Sequence, residues 1–102
     1  MTADLAPIHP ERIARLVARW EPRHWTILAA TTVESSTSAE VAERAAWSAA
    51  RRYSTGQAGL LLAGLASRGL VDRLTGPGLA RWALTSRGAD VLAYGRSAGL
   101  VR

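Results

Sequence analysis

The chain has 102 residues and a mass of 10.9 kDa, which is enough for one small domain, and its composition of 48% hydrophobic and 21% charged residues is globular. No apolar run is long enough to span a membrane, and the first residues lack the pattern of a secretory signal, so we expect a cytoplasmic protein without membrane association. The absence of cysteine excludes disulfides, thiolate metal sites and cysteine catalysis, and the net charge is +5.

The charge is divided unevenly along the chain. All thirteen basic residues are arginines, and through Glu43 four of them stand against six acids, which gives −2. From Arg44 onward nine arginines stand against Asp72 and Asp90, which gives +7. This asymmetry predicts that the second part of the chain meets an anionic partner.

Two helices are predicted in the first third of the chain. The first spans residues 10–20, where Pro10 suits the first helical position and apolar residues recur at helical spacing at Ile13, Leu16, Val17 and Trp20. The second spans residues 23–33 and buries Trp25, Leu28, Ala29 and Thr32. A polar run over residues 34–37 then predicts a loop.

Two capping boxes mark the next helices. Thr37 and Glu40 have the spacing of the first box, and we expect residues 47–53 to lengthen the third helix beyond its inner face of alanines. Ser54 and Gln57 form the second box, so a fourth helix is predicted over residues 54–68. Its expected core stripe consists of Ala58, Leu61, Leu62 and Leu65.

The chain then predicts a hairpin and a closing helix. Two short strand-like runs, residues 70–74 and 79–84, flank a four-residue Gly/Pro turn. Thr85 is expected to cap a last helix over residues 86–97, and residues 98–102 are expected to form a frayed tail.

Two motifs in this order carry a family resemblance. Residues 65–73 (LASRGLVDR) resemble the end of the recognition helix and the first wing strand of MarR- and PadR-like regulators. Residues 81–88 (RWALTSRG) resemble their second wing strand and the Leu-Thr start of the following helix, and the matching core covers about residues 25–95. The resemblance implies a mainly α fold with a small β-hairpin wing, a winged helix-turn-helix, in a transcriptional regulator.

The resemblance implies one domain over residues 1–102 that binds double-stranded DNA. Residues 21–97 would form the winged-helix core, and the N-terminal helix within residues 1–20 would offer a contact for a homodimer. The start of the recognition helix, residues 54–68, would meet base edges, and residues 70–84 would form the wing. The effector, if one exists, is not predicted.

The residues expected to face DNA on the recognition helix are Ser54, Thr55, Gln57 and the small Gly59. Gln57 has the two groups that read adenine through N6 and N7. Its alternative role, together with Ser54, is only to cap the helix. Both roles stay open from the sequence.

Four arginines are the predicted phosphate contacts. Arg51 and Arg52 lie just upstream of the helix, and their alternative is a solvated charge pair. Arg73 and Arg81 flank the wing. Counting outward from a four-residue turn places Asp72 opposite Arg81, so an ion pair between them competes with a DNA contact.

Enzyme chemistry has little support in the sequence. His9 and His24 have no clustered carboxylates around them, so no metal, cofactor or catalytic activity is expected. The predicted function is sequence-specific DNA binding by a small transcriptional regulator. One alternative is a winged-helix module that binds protein through Leu60 and Trp47, a tryptophan whose place in core, dimer contact or surface stays open. Another is a replication or plasmid-maintenance factor with the same fold.

Overall fold

The protein is described by a computed structural model over residues 9–49 and 51–101. In these ranges the elements follow one another as α1 (Pro10–Leu16), α2 (Pro22–Ala29), β1 (Ser36–Thr37), α3 (Ser38–Ala49), α4 (Thr55–Ser67), β2 (Val71–Leu74), β3 (Arg81–Leu84) and α5 (Ser86–Ser97). The fold is mainly helical with a small antiparallel sheet, and this arrangement is compatible with a winged-helix-like fold.

The first two helices are shorter than predicted. α1 ends at Leu16, whose carbonyl accepts a hydrogen bond of 2.9 Å from the Arg68 guanidinium, so a distant side chain satisfies the helix end. α2 ends at Ala29, and Thr32 is exposed instead of buried. The reason is that the Thr32 carbonyl accepts from the Leu84 amide at 2.7 Å, which draws this segment toward the sheet.

The third helix begins as predicted and ends earlier. The Thr37 amide donates to Glu40 Oε1 at 2.8 Å, and the Glu40 amide donates to Thr37 Oγ1 at 3.2 Å, which confirms the first capping box. α3 ends at Ala49, and residues 51–53 are irregular. The prediction that residues 47–53 lengthen the helix is therefore wrong beyond Ala49 within the described residues.

The sheet has three strands in the order β1-β3-β2, one more than the predicted hairpin. The segment predicted as a loop supplies β1, in which Ser36 pairs with Trp82 of β3. Between β2 and β3 the connection is six residues long rather than four, because β3 begins only at Arg81. Local turn signals cannot indicate that a strand pairs with a segment distant in the sequence.

The core lies where α2, α3, α4 and α5 meet the sheet. Its largest completely buried side chains include Ile27, Leu28, Val41, Leu62 and Val91. Trp25 is buried as predicted, Trp82 of β3 is buried as well, and Trp20 is partly buried against Trp25. The α4 stripe is confirmed at Ala58, Leu62 and Leu65, while Leu61 is half-buried.

The last helix spans residues 86–97 as predicted, but the tail is not frayed where the structure describes it. Gly99 has a φ of 73°, and the Leu100 amide donates to the Gly95 carbonyl at 2.8 Å. This is the hydrogen bonding of a Schellman-type helix end, and it brings Val101 against the core. Arg102 lies outside the described residues.

No helix in residues 9–49 and 51–101 is long and apolar enough to cross a bilayer.

The first capping box makes the stability of the protein depend on pH in the acid range. Hydrogen bonds from the Thr37 amide and hydroxyl, helped by the charges of Arg81 and Arg44, hold the pKa of Glu40 below its ordinary value of 4.5. A carboxyl group whose pKa is lower in the folded than in the unfolded protein stabilises the fold at pH values above its unfolded pKa. This stabilisation is lost as the pH falls through the folded pKa. We therefore expect wild type to melt above Glu40→Gln at neutral pH, and the two melting temperatures to converge in acid.

The control for this prediction is Glu43→Gln on the same helix. Glu43 is exposed, and no described residue forms an ion pair with it. In thermal melts, Glu40→Gln should melt below wild type at neutral pH and approach it in strong acid, whereas Glu43→Gln should melt close to wild type at neutral pH. Parallel curves for both variants would contradict the role given to Glu40.

Candidate nucleic-acid interface

The start of α4 is closed by the second predicted capping box. The Gln57 amide donates to Ser54 Oγ at 3.0 Å, and the Ser54 amide donates to Gln57 Oε1 at 2.9 Å. The capping role of both residues is thereby confirmed. Gln57 can present both amide groups to an adenine only if its oxygen turns away from the Ser54 amide. Thr55, exposed at the first helical position, makes no such bond.

The side chains on the outward face of α4 are uncharged and mostly small. This face presents Gly56, Leu60, Ala63 and Gly64 to solvent, and Leu60 is 79% exposed. Gly59 does not share this face, contrary to prediction. A Cβ at Gly59 would lie 3.6 Å from Ser38 Oγ, so this position faces the start of α3 and is half-buried.

Two exposed arginines, Arg51 and Arg52, precede α4. Neither forms an ion pair or side-chain hydrogen bond with any described residue. The guanidinium carbon of Arg51 lies 5.6 Å from the Tyr53 ring centroid, a cation–π contact that leaves its donors available. Arg52 lines a shallow cleft of about 490 Å³ between α3 and α4, together with Trp47 and Thr55.

The two arginines of the hairpin have different environments. Arg81 pairs with Leu74, and Asp72 pairs with Ala83, so the predicted ion pair between Asp72 and Arg81 is wrong. The cause is the six-residue connection, which shifts the register by two positions from a four-residue turn. Sequence reasoning also missed the true partner of Arg81, since Ser35 lies 46 positions away.

Arg81 binds the protein itself. Its Nε donates to Ser35 Oγ and its Nη2 to the Ser35 carbonyl, both at 2.9 Å, and Nη2 lies 3.5 Å from Glu40 Oε1. Arg73 is exposed like Arg81, but its guanidinium carbon lies 5.5 Å from the Trp82 ring centroid and it forms no side-chain hydrogen bond with a described residue. Because side chains alternate along a strand, Arg73 and Arg81 lie on opposite faces of the hairpin. The structure therefore does not bring the two wing arginines together.

The hairpin tip carries no charge. Residues 75–80 are Thr-Gly-Pro-Gly-Leu-Ala, and Leu79 is 77% exposed. Trp47, whose position the sequence left open, is 84% exposed on α3. The exposed large hydrophobic side chains of the described residues are Val33, Trp47, Leu60, Leu74, Leu79 and Leu100.

Metal-ligating side chains do not cluster in the described parts of the chain. His24 accepts a hydrogen bond from the Glu21 amide at 3.0 Å and stacks on Trp20, and His9 is the N-cap of α1. Both histidines thus serve helix starts.

Comparison of the sequence with models of known protein families finds no match, and comparison with curated proteins finds none either.

Proposed function

We propose that this protein is a winged helix-turn-helix protein that binds double-stranded DNA and regulates transcription. The observation that carries the proposal is the pair Arg51 and Arg52, which lie shortly before α4, are exposed, and have no ion-pair partner among the residues that the structure describes. A second observation supports the proposal: the outward face of α4 has no charged side chain and no bulky one except Leu60. The backbone of α4 can therefore approach a DNA groove closely.

In the proposed complex, α4 enters the major groove. Its N-terminus carries the positive end of the helix dipole, and the arginines before it attract the flanking phosphates. Thr55 has a free hydroxyl at the position where such helices meet base edges. Arg73 reaches the backbone beside the groove. Arg81, held by Ser35, contributes chiefly by fixing the wing.

We propose that the protein acts as a homodimer in the cytoplasm. Two copies would then read half-sites about one helical turn apart, about 34–36 Å between centres. α1 packs on α5 at the periphery of the helices and is the proposed dimer contact. Selection of bound duplexes from a random pool tests this directly, because a dimer enriches a palindrome and a monomer enriches a single half-site.

A salt titration of duplex affinity tests the phosphate contacts. For Arg51→Ala/Arg52→Ala we expect affinity at low salt to fall by about tenfold or more, since two charge-assisted contacts are lost. The slope of log K against log salt should shrink by about 1.8, because each neutralised phosphate contributes about 0.9. Fluorescence anisotropy of a labelled duplex measures both quantities.

The matched control is Arg87→Ala/Arg96→Ala, which removes the same charge from exposed positions of α5, outside the proposed dimer contact and the proposed phosphate contacts. Its affinity should change little, and sedimentation shows whether both variants keep the wild-type assembly. Equal losses in the two variants would mean that net charge, rather than the start of α4, binds DNA. An absence of duplex binding by wild type at low salt would refute the proposed function.

A second candidate function is protein docking. The observation in its favour is that Leu60 and Trp47 are 79% and 84% exposed. A docking module would show salt-insensitive association that Leu60→Ala and Trp47→Ala weaken, whereas DNA binding would remain strongly dependent on salt.

A further inference from the structure

A cleft of about 390 Å³ lies away from the outward face of α4. Its walls come from α2, the end of α3, the irregular residues that follow it, and the closed tail after α5. This volume falls in the range of about 300–1,000 Å³ that small-molecule sites occupy. The cleft exists because the tail is folded back, since Leu100 and Val101 form one side of it.

Four arginines from distant parts of the chain line this cleft: Arg23, Arg44, Arg51 and Arg96. Among the described residues that line the cleft there is no carboxylate, and in the described ranges only Arg23 of these four has a partner ion, Glu21 at 2.7 Å. Like charges gathered around one cavity repel each other, and a bound anion offsets that repulsion. The charge of the cleft therefore selects an anion.

Arg44 makes the site rigid. Its Nε donates to the Ala30 carbonyl at 2.9 Å, and its Nη2 donates to Ser36 Oγ, so two acceptors fix the orientation of a half-buried guanidinium. A guanidinium has five N–H donors, and the remaining ones stay available to a ligand. A cation that is already oriented and partly withdrawn from water binds an anion better than a flexible surface one.

The rest of the lining is largely apolar. Trp25, Ala29, Tyr53, Leu100 and Val101 contribute rings and aliphatic groups to the same cleft. Leu100 is 46% exposed, and the Gly95 carbonyl holds its amide so that it stays at the wall. An inorganic ion would leave this apolar surface in water.

We propose that the cleft binds a small organic anion, with its charged group at Arg44 and Arg96 and its apolar body against Tyr53 and Leu100. The negative group has the chemistry of a carboxylate, sulfonate or phosphate. Arg51 lines this cleft and is also a proposed phosphate contact. The test of the cleft therefore uses Arg96 and leaves Arg51 unchanged.

Calorimetric titration of the full chain with octanoate tests the proposal. Octanoate should bind saturably with one site per chain, while 1-octanol and inorganic phosphate should each bind about tenfold or more weakly. One charge-assisted hydrogen bond is worth about that factor, and burial of an apolar chain adds a comparable one. The proposal would be overturned if octanol or inorganic phosphate bound as tightly as octanoate. It would also be overturned if octanoate did not bind saturably.

Two variants of one helix locate the site. Arg96→Gln removes a guanidinium from the cleft, and Arg87→Gln removes one from the opposite end of α5, where it does not line the cleft. Octanoate should bind Arg96→Gln about tenfold more weakly and Arg87→Gln unchanged, at a temperature well below both melting points. Equal effects of the two substitutions would show that the anion responds only to net charge and would refute the site.

Discussion

Replacement of Gly88 by alanine is expected to lower the free energy of unfolding by about 3 kcal/mol, at the upper end of the usual cost of overpacking a core. Gly88 lies in the first turn of α5, where its amide donates to Thr85 Oγ1 at 3.0 Å. A Cβ at this position would lie 2.1 Å from the Leu70 carbonyl oxygen and 2.6 Å from a methyl of Leu84. The backbone of Leu70 cannot rotate away as a side chain can, so α5 must shift away from Leu70 and β3. Urea unfolding measures the loss.

Gly64→Ala is the matched control, since no heavy atom lies within 4 Å of the place its Cβ would take. Gly64 lies inside α4 on its exposed face, so alanine should stabilise the protein by about 0.5–1 kcal/mol through helix propensity. The same chemical change is thus expected to have opposite signs at two positions. A stability loss of similar size at both would show that close packing is not what requires glycine at position 88.

Replacement of Leu62 by alanine should cost about 3 kcal/mol, within the usual 2–5 kcal/mol for a buried leucine. Leu62 is fully buried in α4, the helix that packs on α2, α3 and β2. Truncation removes apolar contacts and leaves a cavity that the surrounding elements can close only in part. For a domain of this size the loss is a large share of the total stability of about 5–15 kcal/mol. Thermal and urea unfolding should both register it.

Leu60, two positions earlier on the same helix, provides the comparison. It is 79% exposed, and Leu60→Ala should change the free energy of unfolding by no more than about 0.5 kcal/mol. The pair separates packing from helix propensity, because the substitution and the helix are identical. Similar losses at both positions would mean that the burial pattern of α4 is not the one described.

Local signals in the sequence were enough for the helix starts. The boxes at Thr37 with Glu40 and at Ser54 with Gln57 depend on residues three positions apart, and both form as predicted. The Thr85 cap and the extent of α5 also follow from neighbouring residues. Such interactions are decided within one turn of helix, so a pattern in the chain carries the necessary information.

Interactions between distant segments were not accessible in the same way. Strand β1 forms because Ser36 pairs with Trp82, and the Thr32 carbonyl, three residues after the end of α2, accepts a hydrogen bond from the Leu84 amide. The same limit applies to the candidate interface. Adjacency in sequence placed Arg51 and Arg52 beside α4, whereas the environment of Arg81 depended on a hairpin register and on Ser35. The arginine cleft combines four segments of the chain and has no sequence signal at all.

The chain contains thirteen arginines and no lysine. In the structure, lysine could replace some of these arginines but not others. At positions 44 and 81 two nitrogens of one guanidinium reach two separate acceptors, an arrangement that the single ammonium of lysine cannot reproduce. At positions 51 and 52 no such geometry is in use, and a point charge would still attract phosphate. A change in the base composition of the gene could therefore replace Arg51 and Arg52 by lysine. Arg44 and Arg81, which hold β1 and the hairpin, would have to remain arginine.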